Sequence, residues 1–141
     1  MTVDLSSFDA AEAAFYRAFE HGDYDAMAQI WDDAEDIICA HPLGPTLAGP
    51  NAVLRSWKMI LSDSGGMRFT PKRVGSFKSD DLVVTHVHEH ISHGEDGNQR
   101  GVVIATNAYR LRDGQWRMIM HQGGPVQGAA FETPQAPTAL H

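Results

Sequence analysis

The chain has 141 residues, 43% of them hydrophobic and 21% charged, and a formal net charge of −7. That length suits one domain around a single core. The 11 lysines and arginines are scattered, not gathered into the basic patch that nucleic-acid binding requires.

No apolar run approaches the roughly 20 residues of a membrane span. The N-terminal stretch "MTVDLSSFDAAEAA" lacks the basic head and apolar block of a signal peptide. A cytoplasmic protein without membrane or nucleic-acid partners is therefore expected. The single Cys39 excludes an internal disulfide and a cysteine-based zinc finger. It lies in the apolar run "DIICA", which predicts a buried structural thiol.

The front half reads as helix. "SSFDAAEAAFYRAFEHG" opens on Ser6 with Asp9 three residues later, like a capping box. Phe8, Ala11, Phe15, Ala18 and Phe19 form its apolar stripe, and Gly22 stops it. Asp23 caps a second helix, "YDAMAQIWDD". A short strand, "DIICA", ends at His41-Pro42, and "HPLGPTLAG" reads as a loop. Pro50 suits the first position of a third helix, with Val53, Leu54, Trp57, Ile60 and Leu61 on its buried side.

The back half reads as strands. "MRFTPKRVGSFK" contains Pro71, which predicts a bent or edge strand. "LVVTHVHEHIS", "RGVVIATNAYRLR" and "QWRMIMHQ" follow, the last two joined by the hairpin signal Asp113-Gly114. Helices gathered on one face of an antiparallel meander give an α+β fold. Residues 1–126 are expected to form the one domain and residues 127–141 a flexible tail.

The histidine-rich strand poses the chemical question. Side chains two apart share a strand face, and the rise is ~3.3 Å per residue. His86 and His90 would then stand ~13 Å apart, too far for one zinc with Zn–N bonds of about 2.0–2.1 Å. A site would need two of His86, His88 and His90 plus a ligand from elsewhere. No metal is expected, and a zinc-dependent enzyme on this strand remains an alternative. Along the strand, Val83, Thr85, Val87, Glu89 and Ile91 share the more apolar face. Leu82, Val84, His86, His88 and His90 share the other.

"WDDAEDIICAHPLGPTLAGPNAVLRSWKMIL" (Trp31 to Leu61) and "ATNAYRLRDGQWRMIMHQGGP" (Ala105 to Pro125) resemble the SnoaL-like branch of the nuclear transport factor 2-like superfamily. They also resemble the association domain of calcium/calmodulin-dependent protein kinases. The resemblance runs from about Ser6 to Val126. It implies a cystatin-like cone, a curved antiparallel sheet wrapped by three N-terminal helices, with a pocket at the open end. It also implies a homodimer formed through the outer face of the sheet. The face carrying His86, His88 and His90 would then meet the second subunit, and Glu89 would lie near the pocket rim. Histidines there would make association pH-sensitive, because their ordinary pKa is about 6.5.

The superfamily includes cyclases, isomerases, dehydratases and members that only bind or assemble, so fold alone does not fix function. The reading is an apolar pocket for a small organic molecule, lined by Trp31, Trp57, Thr85, Asn107, Tyr109 and Met118. No cofactor is expected. Proton-transfer chemistry such as cyclisation, isomerisation or dehydration would use His41 or His121 as base. Asn107 or Tyr109 would steady an oxyanion. The arginines of the kinase-domain pocket are replaced by Thr85 and Asn107. Asn107 reads equally as a hydrogen-bond node, and Asp32 and Asp33 as solvated or capping residues. The alternative function is a non-catalytic ligand-binding or assembly module.

Overall fold

The computed structural model describes residues 2–63, 67–93 and 99–126. The tail expected over 127–141 and most of the polar loop after His93 lie outside these residues. Three helices precede or interrupt a six-stranded sheet: α1 (Phe8–His21), α2 (Tyr24–Ile30), β1 (Ile38–Ala40), β2 (Thr46–Ala48), α3 (Pro50–Ser62), β3 (Arg68–Lys78), β4 (Leu82–His93), β5 (Gln99–Arg112) and β6 (Gln115–Pro125). The strand order is β2-β1-β6-β5-β4-β3.

The helix signals act with small shifts. The cap of α1 is Ser7, not Ser6: the Ser7 side chain accepts from the Ala10 amide at 3.0 Å, while the Ser6 hydroxyl bonds Asp4. Gly22 closes α1 in the left-handed conformation, with φ 65°, where a β-carbon would be strained. Asp23 caps α2 through the Ala26 amide. This helix stops at Ile30, short of Asp33, because Trp31 turns extended and bridges Met118, and the Asp32 amide bonds the Met118 carbonyl at 2.9 Å. Pro50 takes the first turn of α3.

Two strand features differ from expectation. Thr46–Ala48, read as loop, forms β2 and pairs antiparallel with β1. β1 in turn runs parallel to β6, so the sheet is not a pure antiparallel meander. Both corrections have one cause: three-residue strands carry almost no periodic signal, and only the distant β6 edge gives them partners. Pro71 does sit on an edge strand, β3, which also carries a bulge between Arg73 and Gly75. Asp113 and Gly114 both have positive φ, at 55° and 77°, and join β5 to β6 in a tight hairpin.

The helices cover the concave face. Phe15, Met27, Ile30, Ile37, Val53, Trp57, Val87, Tyr109 and Met118 are fully buried between the two layers. Phe15, Phe19 and Trp57 pack edge to face with centroids 4.9–6.1 Å apart, a geometry that favours the ring quadrupoles. Trp116 packs on Phe8 in the same way.

Candidate active site

Register builds one polar row across the concave face. Thr85 on β4 pairs with Asn107 on β5, Asn107 with His121 on β6, and His121 with Cys39 on β1. Helix α1 lies over this row and presents Glu12 and Tyr16, four residues apart and thus on one helix face. Glu89, two strand positions beyond Val87, shares the concave face.

Glu12 is the hub and is 6% exposed. Its Oε1 accepts from Arg73 Nε (3.0 Å) and Nη2 (2.8 Å). Its Oε2 accepts from the Thr85 hydroxyl (2.6 Å), the Tyr109 hydroxyl (2.5 Å) and Asn107 Nδ2 (3.2 Å). All of these partners donate, the pattern of a carboxylate rather than a carboxylic acid. Because Glu12 only accepts, Asn107 must turn its amide nitrogen toward it. The same nitrogen donates to the Tyr16 hydroxyl at 3.1 Å. The Asn107 carbonyl then faces His121 Nδ1 at 2.6 Å, which must carry the proton. Tyr16 passes its own proton toward Glu89 Oε2, 2.6 Å away.

Burial sets the acid–base character of the groups at the two ends of this chain. Glu89 is 2% exposed, not at a rim. Its carboxyl is pushed up to about 7, first by burial and further by the charge of Glu12, against the hydrogen bond from Tyr16. Burial, aided by His41, pushes the His121 imidazole down to about 3, so the ring is neutral. Burial foremost raises both phenols, Tyr16 and Tyr109, which keep their protons.

The remaining residues named from sequence sit around this network. Trp57 and Met118 are packed in the core, and the His121 ring lies 5.8 Å from Trp57. Trp31 is buried and lies beside a surface recess of about 410 Å³ that also touches Arg112, Gln115 and Arg117. His41 bonds Ser56 Oγ at 2.9 Å and stands 3.7 Å from the Cys39 sulfur. Burial lowers the His41 pKa and pushes the Cys39 thiol up to about 12, as suits an inert structural cysteine. A recess of about 40 Å³, room for roughly one water, lies beside Cys39 and His121. Asp32 is not solvated: it is 1% exposed and accepts from Arg112 (2.7 Å) and Arg110 (3.4 Å), fixing the chain that follows α2. Asp33 is exposed and meets Arg112 at 2.7 Å.

Sequence reasoning missed Glu12, Tyr16 and Arg73. The available signal was Glu12 itself, a charged residue inside the apolar stripe of α1, ~40° from Phe8 and ~60° from Phe15 on a helical wheel of 100° per residue. Among the described residues, no group of three or more His, Cys, Asp or Glu is placed to hold a metal ion, and no helix is long and apolar enough to cross a membrane.

The convex face is different in kind. His86, His88 and His90 are half-buried there, and the His86 and His88 rings meet edge to face at 5.7 Å. Phe77 is 76% exposed, Ile38 41% and Ile104 38%.

A curved sheet with helices on its concave side and polar groups in the interior defines the cystatin-like, nuclear transport factor 2-like class. The chain belongs to the SnoaL-like domain family, whose model matches residues 9–126. A structure from Thiobacillus denitrificans, described as a candidate calcium/calmodulin-dependent protein kinase type II association domain, is 35% identical, with a TM-score of 0.80. The match covers 84% of this chain and 94% of that one. A candidate dehydratase of the nuclear transport factor 2-like family from Streptomyces avermitilis is 27% identical, with a TM-score of 0.76, covering 86% and 95%. The F-box protein SKIP8 of Arabidopsis thaliana is 26% identical over 96 residues. That match covers 68% of this chain and spans only 39% of the plant protein.

Proposed function

We propose that this SnoaL-like domain binds a small, largely apolar carbonyl compound in its interior and moves a proton on it without a cofactor. The observation that carries this reading is the buried line Glu89–Tyr16–Asn107, tied to Glu12 and His121. Burying two carboxyls in one core is costly, and such groups with perturbed pKa values concentrate at functional sites. Glu89, titrating near neutrality, is the acid–base group. It replaces the two histidines in that role: His121 is held neutral at about 3, too weak a base at pH 7, and the His41 ring is tied to Ser56. Tyr16 holds the Glu89 carboxyl through its hydroxyl, and His121 orients Asn107. Phe15, Phe19, Phe69 and Trp57 pack on one another beside this line, and their apolar faces would receive the compound as they part. The Streptomyces relative described as a candidate dehydratase agrees with this class of chemistry.

The test is deuterium exchange next to the carbonyl of small cyclic ketones in heavy water, followed by NMR. Wild type should catalyse exchange with a rate that rises through about pH 7, and Glu89→Gln should lose about 100-fold or more. A panel of ketones that neither exchange nor perturb the protein's resonances would refute the reading.

A second, compatible reading is assembly. The half-buried histidines and exposed Phe77, Ile38 and Ile104 make the convex face a self-association surface for a homodimer. The 35% identical relative described as an association domain supports it. Sedimentation should give a dimer, and Phe77→Glu a monomer; a monomeric wild type would end this reading.

A further inference from the structure

The cation of the interior network comes from the edge of the sheet. Arg73 pairs with Val87 and Gly75 pairs with His86, which leaves Val74 as the extra residue of the bulge. Val87 is fully buried on the concave side, so Arg73 opposite it shares that side. From there the guanidinium lies 5.0 Å over the Phe8 ring, donates to Asp9 Oδ1 at 2.6 Å, and grips Glu12 Oε1 through two nitrogens. Its side chain is 31% exposed, whereas that of Glu12 is 7% exposed. All three hydrogen bonds go to α1, and Glu89 is linked to this pair through Tyr16 and Asn107.

We propose that Arg73 is a positioning residue for proton transfer: by neutralising Glu12 it sets the charge against which Glu89 releases its proton. This rests on the reading of Glu89 as the acid–base group. Among the described residues, the titratable and charged groups on this side are Glu12, Tyr16 and Glu20 from α1, the last held by the Phe69 amide opposite Ile91, Arg73 from β3, Tyr109 from β5 and, through Asn107, His121 from β6. Lys72 pairs with His88 and so belongs to the opposite face. Without Arg73, the Glu12 charge stands uncompensated in a medium that screens it weakly. Glu12 and Glu89 then behave as a coupled pair, and the last proton leaves at higher pH.

The test is a carbon-13 NMR titration of the glutamate carboxyls in the ligand-free protein, with the Glu89 signal assigned by its loss in Glu89→Gln. In Arg73→Gln the midpoint of the near-neutral carboxyl should rise by at least about one pH unit. In Arg73→Lys, which keeps the charge and loses the two-pronged grip, it should stay near the wild-type value. An unmoved midpoint in Arg73→Gln, or an equal rise in Arg73→Lys, overturns the proposal. Should Arg73→Gln fail to fold, Glu12→Gln takes its place: without the charge that Arg73 neutralises the midpoint should fall, and an unmoved midpoint overturns the proposal. No substrate is present, so failure here is separate from failure of the ketone exchange assay.

Discussion

His88 and Glu89 are adjacent on β4 and face opposite ways. Glu89 points into the interior, 2% exposed, with Tyr16 on its carboxyl. His88 points outward, half-buried among His86, His90 and Lys72. Both side chains have their charged form disfavoured, and burial is the larger cause for each. The second cause separates them. Inside, the hydrogen bond from Tyr16 opposes the cost of burying Glu89. Outside, the charges of His86, His90 and Lys72 add to the cost for His88.

The sharpest way to break this contrast is Glu12→Ala. It would leave Arg73 with Asp9 as its remaining partner and the buried Thr85, Tyr109 and Asn107 donors without their common acceptor. A buried polar group left unsatisfied costs about 1–3 kcal/mol, so urea unfolding at pH 7 should show a loss of at least that order. A loss below about 1 kcal/mol would mean that the interior network is no more than a surface ion pair in effect.

A second test uses pH. The unfolded Glu89 carboxyl ionises near 4.5 and the folded one near 7, so between these values the native state holds the extra proton and stability falls as pH rises. At about 1.4 kcal/mol per pH unit this interval corresponds to roughly 3 kcal/mol. His121 acts oppositely: unfolded it protonates near 6.5, folded near 3, so stability is lost as pH falls through that range. The two slopes offset each other between about pH 4.5 and 6.5. Glu89→Gln should unmask a stability that rises with pH, and His121→Gln one that falls. Denaturant melts across pH 4–8 would show it, and parallel curves for both variants would contradict the assignment.

The smallest effect belongs to the outer face. Lowering the pH from 8 to 5.5 should weaken self-association several-fold, in line with the ~1 kcal/mol that exposed charge pairs carry. Sedimentation at the two pH values measures it, and equal association would remove the histidine row from any role in pH response.

The sequence made legible whatever repeats. The 3.6-residue stripes of α1 and α3, the alternation of β4 and the punctuation by Gly22, Pro71 and Asp113-Gly114 all appear in the structure where they were read. Single residues were harder. A lone acid on a helix is normally solvated, and Glu12 departs from that norm only because Thr85, Asn107 and Tyr109 meet it from strands far along the chain. Arg73 was hidden by the bulge, since one inserted residue flips the parity that assigns strand faces. β2 was hidden by its length of three residues, and Glu89 by a rim position that the depth of the sheet does not grant it.

The bonds that tie α1 to β4 and β5 in the interior join residues 73 to 97 positions apart. On the ribosome, α1 therefore emerges with an acid in its greasy arc long before β5 exists to meet it. Long-range contacts of this kind form slowly and late. Until β5 and β6 are made, Glu12 lacks Asn107 and Tyr109, and β1 lacks its parallel partner. That delay is the period in which the chain most needs protection from its neighbours.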